Sequence, residues 1–292
     1  MSDPYALDKR LARRSFERAA ATYDAAAVLQ NEVCRRMLAR LDYIKLEPGV
    51  ILDAGSGTGN AIPGLLARWP RARVVALDLA LAMARRSRAR RPWWRRALAG
   101  DGRLAAVCAD IERLPLASGR IGMAWSNLAL QWIAEPREAC AELYRVLVPG
   151  GLLMFSSFGP DTLKELRAAF EGVDGHTHVH RFMDMHDVGD RLIEAGFSDP
   201  VMDMEVVTLT YGDARALLRD LRGIGARNVA SGRRGALSGR ERLARMERNY
   251  ESFRRDGKLP ATFEIVYGHA WKPAPRVSPT GHPIIDIKPR SG

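Results

Sequence analysis

Cysteine is scarce in this chain. Cys34, Cys108 and Cys140 are three, odd in number and far apart, which argues against a disulfide framework or a zinc site of paired thiolates. Each is expected to be a small buried apolar side chain. No apolar run approaches the length needed to cross a bilayer. The N-terminus, with Asp8, Lys9, Arg10, Arg13 and Arg14, lacks the apolar segment of a signal peptide, so a cytoplasmic protein without membrane contact is expected. Lysine is thin beside arginine, and the formal charge of +11 asks for an acidic partner without naming one. No helix-turn-helix, zinc finger or aromatic RNA-binding motif accompanies that charge. Nucleic acid is therefore not expected, and the arginines of 85–96 and 233–248 face either solvent or an acidic protein. Internal repeats are also absent.

What is present begins at Val50. Val50, Ile51 and Leu52 stop at Asp53, and Gly55, Gly57 and Gly59 then alternate with Ala54, Ser56 and Thr58 before helical spacing resumes at Ile62, Leu65 and Leu66. This is a buried parallel strand, a glycine turn and a helix whose first N–H groups face a crevice. The glycines permit positive φ and let a ligand lie against the backbone. A dinucleotide fingerprint needs another glycine three residues after its second, and Asn60 stands there. The acid at the strand end would repel a pyrophosphate but accept from a cationic amine. S-adenosylmethionine, with an amine and a sulfonium and no phosphate, is the expected cofactor.

At 292 residues and 47% hydrophobic, the chain can bury a full core with an appended subdomain. The pattern divides as a helical N-terminal cover over 1–45, a Rossmann-like core over 46–210, a helical, arginine-rich insertion over 211–258, a final strand over 259–271 and an extended or disordered tail over 272–292. Five strands alternate with helices: Val50 onward, Arg73 to Asp78, Ala105 to Ala109, Arg120 to Ser126, and Leu152 to Phe158 after a Pro149-Gly150-Gly151 stop. Two more follow, Val201 to Thr210 and Ala261 to Trp271. The fold class is α/β: a doubly wound sheet of seven strands with one antiparallel member. The N-terminal helices and the insertion are free to cover a substrate.

Asp78 ends the second strand, where a carboxylate accepts from the two ribose hydroxyls of an adenosine. Asp110 follows the third and is placed to accept from the adenine amine, with Ile111 over one face. Leu79 and Asn127 complete the candidate cofactor set of Asp53, Gly55, Gly57, Gly59, Asp78, Asp110 and Ile111. Each acid alone reads as a solvated strand end; three in order after the glycine loop do not.

These residues resemble class I methyltransferases. Beyond the fourth strand, Ser126-Asn127-Leu128-Ala129-Leu130-Gln131-Trp132, Phe158-Gly159-Pro160-Asp161-Thr162-Leu163 and His178-Val179-His180-Arg181-Phe182 resemble the malonyl-[acyl-carrier protein] O-methyltransferase family of biotin biosynthesis. Leu221-Arg222-Gly223-Ile224-Gly225-Ala226 and Phe16, Ala19-Ala20 and Tyr23-Asp24 do so too. Ile121-Gly122 departs from the Phe-Asp that many class I enzymes place there. Phe158-Gly159, Asp161-Thr162-Leu163 and Pro260-Ala261-Thr262 are also similar to a methyltransferase-like arginine hydroxylase that assists respiratory complex assembly, which is the alternative, together with another small-molecule methyltransferase using the same cofactor. The first resemblance implies methyl transfer to the free carboxylate of a malonyl thioester on acyl-carrier protein, with malonyl-coenzyme A as a second donor of that carboxylate.

Such a carboxylate is already ionised, so no general base is required, and the chain shows no base-and-nucleophile pair. A carboxylate leaving water needs a charged partner; Arg181 and Arg222, in family-like segments outside the cofactor motifs, are the candidates. Tyr23 is the candidate to close over the sulfonium, and Trp132 to wall the site. His176, His178 and His180 alternate, with Asp184 and His186 nearby, yet this methyl transfer needs no Lewis acid, and no metal is expected.

Overall fold

The computed structural model describes residues 5–90, 102–233 and 239–274. The Trp93-Trp94 pair and nearly all of the tail lie outside the described residues. Seven strands form one sheet: β1 (Val50–Ala54), β2 (Arg73–Asp78), β3 (Leu104–Cys108), β4 (Ile121–Asn127), β5 (Leu147–Phe158), β6 (Ser198–Tyr211) and β7 (Leu259–Trp271). Their order is β3-β2-β1-β4-β5-β7-β6. The first five pair in parallel, and β7 runs antiparallel to both β5 and β6. The sheet is thus doubly wound, with one antiparallel member.

The apolar run at Val50 follows from burial on both faces. Ile51 joins Met123, Trp125 and Met154 in the core on one side; Leu52 joins Ala124, Leu153 and Phe155 on the other. Ile51 and Leu52 are both fully buried, each stabilising the fold by about 1.5–3 kcal/mol relative to exposure. β6 is the sheet edge, and its side chains alternate between half-buried and exposed along most of its length because one face is open.

The N-terminal cover is three helices: α1 (Lys9–Ala19), α2 (Tyr23–Ala26) and α3 (Val28–Arg40). Asp8 caps α1, accepting from the N–H groups of Arg10 and Leu11. The break before α2 lets Thr22 Oγ1 donate to the Gly223 carbonyl at 2.9 Å, docking the cover onto the insertion. The other helices are α4 (Ile62–Arg68), α5 (Leu81–Arg88), α6 (Pro136–Val146), α7 (Lys164–Phe170), α8 (Met185–Glu194), α9 (Ala214–Gly223) and α10 (Arg240–Glu251). No helix among the described residues is long and apolar enough to cross a membrane.

Two local expectations need correction. Pro149-Gly150-Gly151 does not open β5: the strand already runs from Leu147, paired with Ile121, and Gly150 donates to the Lys272 carbonyl. Sheet pairing on both sides carries the backbone through a tripeptide that would otherwise turn. Cys34 and Cys140 are buried, but Cys108 is exposed at the end of the edge strand β3.

Candidate active site

The chain leaves β1 outward to β2 and β3, then returns to β4 on the other side of β1. That reversal opens a crevice at the carboxyl ends of β1 and β4. Gly55, Gly57, Asp78, Leu79 and Asn127 line it, and so do Asp110 and Ile111. Tyr23 reaches into it from α2, and Lys9 and Phe16 from α1.

The three glycines serve different ends. All have positive φ, but a Cβ on Gly55 would overlap the Ala129 side chain, and one on Gly59 would meet Ile62 and the Ser87 backbone. Gly59 therefore packs α4 against α5 and does not line the crevice, contrary to its expected role. Gly57 alone faces open contact: a Cβ there would stand 3.8 Å from the Tyr23 ring.

Asp78 accepts from the Gly57 N–H at 2.9 Å and the Ala80 N–H at 2.8 Å, which orients both oxygens and leaves each a lone pair. Burial pushes its pKa up to about 6 against those bonds. Asp53 is not among the lining residues; it lies just beneath them, 2% exposed, and its Oδ2 is sealed and has no hydrogen-bond partner. Burial, with the nearby Asp78 charge adding, pushes its pKa up to about 7. A buried carboxylate is costly to keep ionised, and a cationic charge above the glycine turn would offset that cost. Asp110 departs from expectation. Its Oδ1 accepts from the Glu112 N–H and its Oδ2 from Lys9 Nζ at 2.9 Å, so α1 already engages the acid expected to meet the adenine. Lys9 also pairs with buried Glu112. The Asn127 amide donates to the Gln30 carbonyl at 3.1 Å and accepts from Ser156 Oγ at 3.0 Å, tying β4 to α3 and β5. Leu128, next in the chain, is held at φ 48°, a left-handed conformation costly for a leucine and typical of residues pinned at sites.

A second, larger cavity of about 320 Å³ adjoins the crevice, and Trp132 lines both. Its walls are mostly apolar: Leu29 from α3, Phe158 at the end of β5 and Leu163 after it, Leu166 and Phe170 from α7, and Phe263 from β7. The Phe158 to Leu163 turn is clasped to β7 by two buried acids. Glu264 accepts from the Asp161 N–H at 2.8 Å, and Glu165 accepts from the Thr262 N–H at 3.0 Å and from its hydroxyl. A Cβ on Gly159 would overlap the Glu264 carboxyl group, which explains the glycine.

Arg222 lines this chamber from the end of α9, and its neighbour Gly223 packs against Ala26 of α2, close to Tyr23. Its guanidinium has no hydrogen bond or ion pair among the described residues. Arg181 is not brought to the site: it is exposed and lines neither cavity, while its neighbours His178, Val179, His180 and Phe182 all line the chamber. Tyr23 carries a phenol whose pKa is pushed well up by burial and by Asp78 and Asp24, so it stays neutral. The histidines separate: His176 is exposed, His178 Nε2 pairs with Asp174 at 2.7 Å, and His180 turns to the backbone of Val229. Asp184 caps α8 through the His186 N–H. Lys9, Glu112, Arg227 and the role of His180 went unread in the sequence, since only folding brings them to the cavities; the alternation of histidines was the one visible signal.

The strand order, the glycine turn at the reversal and the acids at the strand ends define a class I methyltransferase fold. A methyltransferase-domain family model matches residues 52–155. The YcgJ protein from Bacillus subtilis shares the fold with TM-score 0.57 at 11% identity, over 82% of this chain and 99% of that one. So does the [4+2]-cyclase SpnF, with TM-score 0.52 at 17% identity over 84% and 82%; the fold alone does not choose the reaction. Sequence relatives do more. A malonyl-[acyl-carrier protein] O-methyltransferase from Gallionella capsiferriformans is 56% identical, covering 96% of this chain and 97% of its own. Another from Methylovorus sp. is 54% identical, over 99% and 98%. The chain belongs to the malonyl-[acyl-carrier protein] O-methyltransferase family.

Proposed function

We propose that this chain transfers a methyl group from S-adenosylmethionine to the free carboxylate of a malonyl group carried as a thioester on acyl-carrier protein, or on coenzyme A, the step that opens pimeloyl synthesis for biotin. The observation that carries this reading is the junction at Trp132. There a crevice with an orphaned, buried carboxylate just beneath its lining meets a mostly apolar chamber lined by Arg222, whose guanidinium has no partner among the described residues. The arginine hydroxylase alternative yields, because relatives matching nearly the full chain at 54% and 56% identity carry the methyltransferase name.

The residues fit the cofactor's chemistry. Asp53 sets a buried acid beneath the place of an α-amino group, and Asp78 offers free lone pairs to a ribose diol. When bound, the cofactor would supply an electrophilic methyl for a carboxylate oxygen, with the thioether sulfur as leaving group and no proton to move. The protein supplies placement. Arg222 offers a charged fork that orients one carboxylate oxygen and leaves the other free, since gripping both would blunt the nucleophile. The apolar walls keep water from two ions about to neutralise each other. Alignment of the two reactants supplies roughly 7–11 kcal/mol of the barrier reduction. The basic insertion, with Arg222 and Arg227 at the chamber, suits an acidic carrier.

The test is transfer of labelled methyl from adenosylmethionine to malonyl-acyl-carrier protein, read as a base-labile ester. Turnover is expected. Binding of adenosylhomocysteine without any methyl ester on the malonyl carrier overturns the reading.

A further inference from the structure

His180 is 7% exposed, on the extended segment between α7 and α8, and its ring lines the chamber. The Val229 N–H donates to its Nε2 at 3.0 Å. A nitrogen that accepts carries no proton, so the hydrogen of the neutral ring sits on Nδ1. Burial lowers the imidazole pKa to about 4, so the ring stays neutral at ordinary pH. Nδ1 has no partner among the described residues and is not one of the sealed polar atoms, so it stays accessible on a ring that lines the chamber. The ring stands edge-on to Trp132, 5.1 Å between centroids, one ring away from the cofactor crevice. His178, by contrast, is held by Asp174 and stacked on Phe170 at 3.8 Å. His180 is thus a fixed, neutral donor at the junction where the reacting carboxylate must lie. Being neutral, it is poorly matched to a second grip on the carboxylate, which Arg222 serves better. The polar atom within reach on the same acyl group is the thioester oxygen, one methylene away.

We propose that His180 donates its Nδ1 hydrogen to the thioester carbonyl oxygen of the acyl group, making it a specificity-determining residue. Together with Arg222 it measures the single-methylene gap between carboxylate and carbonyl. This rests on the reading of the site as a malonyl carboxyl methyltransferase. Left without that carbonyl, a desolvated donor would be unsatisfied, which penalises acyl groups that cannot accept there.

The experiment compares two substrates on the same carrier: malonyl, and a 2-carboxyethyl thioether in which a methylene replaces the carbonyl. The wild-type protein is expected to favour malonyl in kcat/KM by about 10- to 100-fold. His180→Gln keeps an acceptor for Val229 and removes the Nδ1 donor. Its preference is expected to fall to about threefold or less with adenosylhomocysteine affinity unchanged, whereas His180→Asn, which keeps a donor near Nδ1, retains part of it. Intrinsic differences between the substrates cancel, because the same pair is used in each variant. A His180→Gln protein with the wild-type preference overturns the inference. If that variant does not fold, the infrared band of a 13C-labelled thioester carbonyl decides in the wild-type protein with adenosylhomocysteine: a shift to lower wavenumber supports the hydrogen bond, and an unshifted band overturns it. Failure of the wild-type protein to methylate malonyl at all sinks the functional reading instead.

Discussion

The crevice and the chamber share Trp132 and differ in almost everything else. The crevice is built mainly on strand ends. Its polar groups are set by backbone, as where the Gly57 and Ala80 N–H groups fix the Asp78 carboxylate. The chamber is assembled from side chains of α3, α7, α9, β7 and the 178–182 segment, and two buried acids behind its walls, Glu165 and Glu264, work as clasps that hold them together. A cofactor common to many reactions is met by rigid backbone. On the proposed reading, a substrate peculiar to one reaction would be met by side chains of the added helices and the 178–182 segment on that frame.

The contrast can be broken from the crevice side first. Asp78→Ala removes a carboxylate that orients two backbone N–H groups and has lone pairs left for a diol. Adenosylhomocysteine affinity is expected to fall on the order of 100- to 1,000-fold by calorimetry, while the malonyl KM, measured at saturating cofactor, changes little. From the chamber side, Arg222→Ala should lower kcat/KM for malonyl about 10- to 100-fold with cofactor affinity intact, and Arg222→Lys should recover part of it. If both parameters fall together in either variant, the two cavities are not separate in function.

Asp53 sharpens the comparison through pH. Its folded pKa is raised to about 7, so the apo protein holds this proton where the unfolded chain, near 3.8, has lost it. Stability from this group therefore falls as pH rises from about 4 to 7, by at most about 1.4 kcal/mol per unit, and is level above that. Asp53→Asn should gain thermal stability relative to wild type between pH 4.5 and pH 8. Wild-type affinity for the cationic amine should weaken below pH 7 as the acid is protonated, and the asparagine variant should show a flatter profile in the same titration. The smallest effect belongs to Arg181: exposed and outside both cavities, its alanine variant should stay within about twofold of wild type in kcat and KM. A larger loss would return it to the site.

Legibility followed the same division. The run ending at Asp53, the glycine turn and the acid at Asp78 were readable because strand, turn and helix are consecutive, and each states its geometry locally. Asp110 was placed at the right strand end, but Lys9, one hundred and one positions earlier, had its charge in hand already. Gly59 matched the motif for a packing reason: α4 and α5 meet on it. In the histidine segment, alternation showed that side chains would divide between two faces. It did not tell which residue met solvent, and Arg181 was chosen where His180 turned inward.

From the order of its residues alone, this protein's apolar runs, glycine spacing and terminal acids determined a doubly wound sheet and the place of its strand-end crevice, because those signals act between near neighbours. Which arginine stands in the chamber, that Asp53 keeps an oxygen without a donor, and that a backbone N–H from Val229 fixes the proton of His180 were decided only by tertiary structure. Those outcomes depend on burial and on partners distant in the chain, and neither has a signature in local spacing.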